Sequence, residues 1–319
     1  MPIAGPAAAA LDSLSPSQIY FLRSLPKAEL HAHLNGSIPI SVLQELESEY
    51  DSSDSSIDNE SIKSGISKLR DGPSLETISD FFTLFPAIYA LTSTPDALRR
   101  ATRAVLSTFL DGDMPQCNYL ELRTTPRQTV AMDKNRYLRV VLEELERYGR
   151  SRVGLIISLD RRMSDDVLSE CVRLACELKA EGKLVVGMDL CGDPTVGDID
   201  MFAPHFAQVR KIGLGVTLHI AEVQILSCWS ARSFSNFMKT TQNTVEEIYK
   251  LLSFNPARLG HATFLDQKAT SIVLEKKMCI EVCLSSNLLY VFYSYKITIS
   301  NSSRANLSLY NPGASQFRP

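Results

Sequence analysis

Short apolar runs alternate with amphipathic segments over most of this chain, and the apolar runs end in polar residues. Asn118-Tyr-Leu-Glu-Leu-Arg123 leads into Thr124-Thr125-Pro126-Arg127. Val153 to Leu159 leads into Asp160-Arg161-Arg162, and Leu184 to Leu190 into Cys191-Gly192-Asp193-Pro194. Val216 to Leu218 leads into His219-Ile-Ala-Glu222, Arg258 to Gly260 into His261, and Cys279 to Leu284 into Ser285-Ser286-Asn287. Between them, Asn135–Tyr148, Ser164–Ala180, Asp198–Lys211, Thr244–Leu252 and Asp266–Lys276 have the apolar spacing of helices. Alternating strand and helix predicts a parallel sheet. Polar residues gathered at the strand ends predict a site on that face, in an α/β barrel or an open α/β sheet.

The first third is more helical. Ser15-Pro16-Ser17-Gln18 reads as a capping box with proline at the first helical position, opening a short helix that runs to about Arg23. A strand through Ala28-Glu29-Leu30 follows, then a turn at Asn35-Gly36. Ile40–Tyr50, Leu75–Leu91 and Pro95–Leu110 read as helices. The Ser/Asp-rich stretch from 51 to 65 reads as a mobile surface loop. Residues 1–14 read as a disordered leader, with no basic segment to make a signal peptide. Seven strands are countable, and a closed (β/α)₈ barrel needs eight.

Composition narrows the class. The chain has 319 residues, 45% hydrophobic, with a net charge of −3. That is enough chain for a sizeable core, and it gives no electrostatic reason to expect nucleic acid or a membrane as partner. Seven cysteines lie scattered without a CxxC pair, as expected of free thiols in a reducing compartment, and the chain reads as cytoplasmic.

The chemistry centres on Leu25–Ile38, LPKAELHAHLNGSI. His31 and His33 are two apart on a strand, so their side chains share a face and can bind one metal ion through ring nitrogens. Taken singly, each reads better as a hydrogen-bonded core or loop residue. The chain has five histidines, however. Four of them, His31, His33, His219 and His261, fall at predicted strand ends, and His205 sits in a helix. Together the four read as a site. Glu222, three residues past His219, suits proton transfer if burial raises its pKa. Arg127 offers a fork suited to phosphate, and Gly192 a turn where backbone can approach a ligand. Arg123 reads as structural.

The ordered set LPKAELHAHLNGS, YLELRTTPR, SLDRR, DLCGDPTVG, LHIAE and RLGHATFLD resembles the adenosine deaminase family of metal-dependent amidohydrolases, closest to its adenosine deaminase-like, N6-methyl-AMP deaminase branch. The resemblance covers roughly residues 15–288. It implies a (β/α)₈ TIM-type barrel holding one Zn²⁺. His31, His33 and His219 resemble the metal ligands. Glu222 resembles the proton donor to the purine, and His261 the residue that orients the attacking water. Asn35, Thr124, Thr125, Pro126, Arg127, Asp160 and Gly192, together with His33, resemble nucleotide-binding positions. Tyr89 stands where some members place a histidine near the substrate. The implied reaction is hydrolytic removal of the purine C6 amine. N6-methyl-AMP would give IMP and methylamine, or adenosine would give inosine and ammonia. The implied partner is the purine nucleotide, with the protein a monomer.

Two stretches depart from the family pattern. The family ends strand eight in Thr-Asp-Asp, which completes the metal shell. Here 289–319 is a tail without Asp, Glu or His. The expectation is a barrel truncated after strand seven, without its fourth metal ligand, prone to aggregate and catalytically dead in its severest form. Tyr290–Ile299 has strand-like composition and could cover the gap. The second departure is the insert 223–239. Removing it restores the family spacing between His219 and His261, and its first and last codons fit a retained intron.

Overall fold

The structure is a computed structural model that describes residues 11–50, 60–72, 78–194, 196–222, 244–283 and 286. Helix α1, Pro16–Ser24, carries the expected capping box: Gln18 N–H donates to Ser15 Oγ and the Ser15 N–H to Gln18 Oε1. It buries no residue, and Tyr20 and Phe21 lie exposed. Strand β1, Ala28–His33, runs into a single 3-10 turn at Leu34–Gly36. Then come α2 (Ile40–Ser48), α3 (Glu60–Asp71), α4 (Ile78–Phe82), α5 (Phe85–Leu91) and α6 (Pro95–Leu110).

From there strand and helix alternate: β2 (Tyr119–Thr124), α7 (Lys134–Leu145), β3 (Val153–Asp160), α8 (Asp165–Ala180) and β4 (Val185–Cys191). They are followed by α9 (Ala203–Lys211), β5 (Gly215–Ile220), α10 (Val245–Ser253), β6 (Arg258–His261), α11 (Gln267–Glu275) and β7 (Cys279–Glu281). All neighbouring strands pair in parallel in the order β1 to β7. This is the expected barrel sheet, seven strands of it. Among the described residues β1 and β7 do not pair with each other. The core is continuous, with Leu120, Leu122, Leu155, Ile157, Leu159, Met188, Leu190, Leu218 and Leu259 inside it.

Three sequence expectations are corrected. The polar stretch 51–65 is not all loop, because Glu60–Asp71 is helical and buries Leu69 at 1% exposure. The single helix expected over 75–91 is broken after Phe82, and α5 restarts with Pro86 in its first turn. The helix expected over 198–211 opens as a 3-10 turn, Ile199–Phe202, before α9, which again has proline, Pro204, at its start. Proline lacks the N–H that an uninterrupted helix would use there, so the chain restarts at it. The insert 223–239, the tail 289–319 and most of the leader lie outside the described residues.

Candidate active site

Parallel strands point all their C-terminal ends to one face. His31 and His33 close β1, His219 lies near the end of β5, and His261 ends β6. The Nε2 atoms of His31 and His219 are 3.1 Å apart, those of His33 and His219 3.1 Å, and those of His31 and His33 3.4 Å. The structure brings these three side chains together. Burial pushes all three imidazoles down, His31 and His33 well below the usual range and His219 to about 3. Burial therefore favours the neutral form of each ring.

The opposite ring nitrogens decide what faces inward. His31 Nδ1 lies 2.8 Å from Glu281 Oε2, and His219 Nδ1 lies 3.0 Å from Asp189 Oδ1. Each carboxylate accepts a hydrogen bond from the Nδ1–H, so the Nε2 atoms of these two rings present bare lone pairs to each other. Lone pairs so close repel unless a cation lies among them. The donor set therefore fits a divalent transition metal.

Glu281 and Asp189 escaped the sequence reading. Each sits inside an apolar strand run, which reads as plain core. A carboxylate there is costly unless paired, and that is the signal that could have found them. Arg123, fully buried, bridges both: Nη2 lies 2.7 Å from Glu281 Oε2, and Nη1 lies 3.4 Å from Asp189 Oδ2. Thr217 Oγ1 donates to Glu281 Oε1 at 3.0 Å and Arg258 Nε at 2.8 Å. Ser158 Oγ donates to Asp189 at 3.3 Å. The structural role expected of Arg123 is what the geometry shows. At Gly260, a Cβ would stand 2.7 Å from His31 Cε1, so the glycine leaves room for the ring.

Glu222 follows β5. Burial raises its pKa to about 7, with the Arg161 charge opposing the rise. Its Oε1 lies 3.4 Å from His261 Nε2. Ala221, His261 and Ala262 all have left-handed backbone, with φ of 49°, 64° and 49°. Such angles cost non-glycine residues about 1–3 kcal/mol each and mark a site that surrounding contacts hold in place. Those contacts are Ala262 N–H to Ile220 O and Phe264 N–H to Ala221 O, both 3.0 Å.

The remaining expected residues spread around the same end. Thr124 Oγ1 pairs with Tyr137 OH at 2.7 Å, and Thr125 Oγ1 lies 3.6 Å from Cys191 Sγ. Pro126 is buried between Thr125 and Arg127 in sequence. Arg127 stacks 4.1 Å over the Tyr89 ring and donates to Tyr89 O and Thr92 Oγ1, which leaves its buried Nε without a partner. Burial lifts Tyr89 to about 12. Asn35 is buried with Oδ1 unpartnered. Asp160 holds Arg162 through two oxygens at 2.8 and 2.7 Å, and at Gly192 (φ 102°) a Cβ would meet the Asp160 carboxyl at 2.9 Å.

A family model described as adenosine deaminase matches residues 26–296. The adenosine deaminase-like protein of Drosophila melanogaster is 33% identical over 274 residues, 84% of this chain and 73% of that one. Human N6-methyl-AMP deaminase is 32% identical over 291 residues, 87% of this chain and 74% of that one. The crystal structure of an Arabidopsis ADAL complexed with IMP superposes with a TM-score of 0.68 at 30% identity, covering 88% of this chain and 79% of the other.

Proposed function

This chain belongs to the adenosine deaminase family, and on that premise we propose that it hydrolyses N6-methyl-AMP to IMP and methylamine. The observation that carries the chemistry is the pairing of Glu222, whose pKa is raised to about 7, with three converging imidazole nitrogens on the same end of the barrel. The nucleotide is supported by the relatives: one is named N6-methyl-AMP deaminase and one was crystallised with IMP.

In this reading His31, His33 and His219 hold one zinc ion through Nε2. When bound, zinc supplies the Lewis acidity that makes water a nucleophile near neutral pH. Glu281 and Asp189 keep two of the rings in the ligating tautomer. Glu222 holds a proton near neutral pH and delivers it to a purine ring nitrogen, which prepares C6 for attack. His261, beside Glu222, orients the attacking water. Asn35 Oδ1 and Arg127 Nε have no partner among the described residues and are free to meet a polar ligand. Thr124, Thr125, Pro126, Asp160, Gly192 and Tyr89 complete the nucleotide-binding wall. The nucleotide is the partner, and the protein acts as a monomer in the cytoplasm. No described helix is long and apolar enough to cross a membrane.

A second reading has one observation behind it. Residues 282–319 hold no Asp, Glu or His, so they do not supply the carboxylate ligand of the family pattern, and in this reading the 319-residue chain is an impaired deaminase. One assay separates these readings. The zinc-loaded chain is given N6-methyl-AMP or adenosine and the products are identified by mass spectrometry. The nucleotide reading expects IMP, with kcat/KM at least about a hundredfold above that for adenosine. Faster turnover of adenosine overturns the nucleotide reading. Zinc bound without turnover of either substrate supports the impaired form.

A further inference from the structure

Asp160, Arg161 and Arg162 follow one another where β3 ends, and only Asp160 has a part in the reaction so far. Arg162 donates from Nε to Asp160 Oδ1 at 2.8 Å and from Nη2 to Oδ2 at 2.7 Å, and its backbone N–H donates to Oδ1 at 2.9 Å. The Asp160 carboxyl in turn lies against Gly192, where a Cβ would stand 2.9 Å away. The Arg162 side chain is 64% exposed and that of Asp160 only 16%. A held carboxylate thus presents a guanidinium at the mouth of the site. Of the five guanidinium N–H groups this pair uses two, which leaves three along the Nη1–Nη2 edge. That edge has the fork geometry that suits a phosphate.

We propose that Arg162 binds the 5′-phosphate of the nucleotide through its Nη1–Nη2 edge, with Asp160 as its anchor. The inference rests on the nucleotide reading proposed above. Glu222 and the converging imidazoles occupy the ends of β1, β5 and β6, while Arg127, Asp160 and Arg162 belong to the ends of β2 and β3. With purine C6 beside Glu222, the rest of the nucleotide extends over those remaining ends. Tyr89 ties the residues there together. Arg127 stacks 4.1 Å over its ring, and Asp160 and Arg162 both lie within its electrostatic reach. Arg127 already has Nη1 on Tyr89 O and Nη2 on Thr92 Oγ1, whereas Arg162 is held by its own sequence neighbour. Exposed ion pairs are weak, so sharing this guanidinium with a second anion costs little. The pair also offsets the Asp160 charge, which alone would repel a phosphate.

IMP and inosine differ only in the phosphate, and their binding needs no turnover. Isothermal titration calorimetry of the zinc-loaded full chain with each ligand therefore reads the contact directly. The wild type is expected to bind IMP more tightly than inosine. Arg162→Ala is expected to narrow that gap about 10–100-fold, mostly by weakening IMP. Arg162→Lys keeps the charge but not the fork and is expected to narrow it less. Arg173→Ala, an exposed arginine paired with Glu177 on α8, is the control and is expected to leave the gap unchanged. A wild-type gap that persists in Arg162→Ala overturns the role of Arg162 and leaves the nucleotide reading standing. Equal weakening of both ligands also overturns it, because Arg162 would then only hold Asp160 in place. A wild type that binds inosine as tightly as IMP overturns the nucleotide reading and this inference with it.

Discussion

Glu222 is where single-residue changes speak most clearly about the chemistry. Glu222→Gln keeps the shape and removes the titrating proton. It is expected to lower kcat/KM by about 10²–10⁴-fold while zinc content, read by atomic emission, stays unchanged. The pH dependence follows from a folded pKa of about 7. The acid works only while protonated, so kcat/KM should fall as pH rises through about 7, and the Gln variant should lack that limb. Stability has the same sign. The folded state binds this proton more tightly than the unfolded state, so the metal-free chain should lose stability as pH climbs from 4.5 to about 7. The loss is on the order of 3 kcal/mol at most, and urea titrations of wild type and Gln variant at the two pH values measure it. At this scale the sequence was readable where residue type and position were both unusual. Four histidines at strand ends were such a signal. Glu281 and Asp189 carried none, because a carboxylate inside an apolar run shows its purpose only when Arg123, Arg258 and the imidazoles fold around it.

At the scale of elements, the polar interior of the barrel is a coupled unit. Glu281 on β7 accepts from groups on β1, β2, β5 and β6: His31, Arg123, Thr217 and Arg258. Glu281→Ala leaves buried charges unpaired and is expected to destabilise the fold by about 3–5 kcal/mol in chemical denaturation. Glu281→Gln is milder and is expected to weaken zinc binding about 10–100-fold by freeing the His31 tautomer, which competition with a chelator would measure. Gly260→Ala pushes a methyl into His31 and is expected to lower zinc affinity with little change in the far-ultraviolet circular dichroism. The strands were legible because each is an apolar run bounded by polar residues. The helices were less so. Glu60–Asp71 sits in a Ser- and Asp-rich stretch that mimics a loop, and what makes it a helix is tertiary burial of Leu69. The breaks before α5 and α9 were written in Pro86 and Pro204, which a count of apolar spacing passes over.

For the whole molecule, the seven parallel strands and the convergence of their ends account for why residues as far apart in sequence as His31 and Glu281 share one site. Among the described residues β1 and β7 do not pair with each other, and Leu274, Ile280 and Val282, like Tyr20, Phe21 and Leu22 of α1, are exposed. A fold so dependent on a central charged cluster should be stabilised by its metal. Zinc at a hundred times its Kd is expected to add about 2.7 kcal/mol and raise Tm by several degrees, reversibly on chelation. The most direct test of the account is to titrate the metal-stripped 319-residue chain with zinc while following IMP formation from N6-methyl-AMP. The account predicts that product formation climbs with zinc and levels off at one equivalent per chain. Zinc taken up at His31, His33 and His219 without any IMP would contradict it.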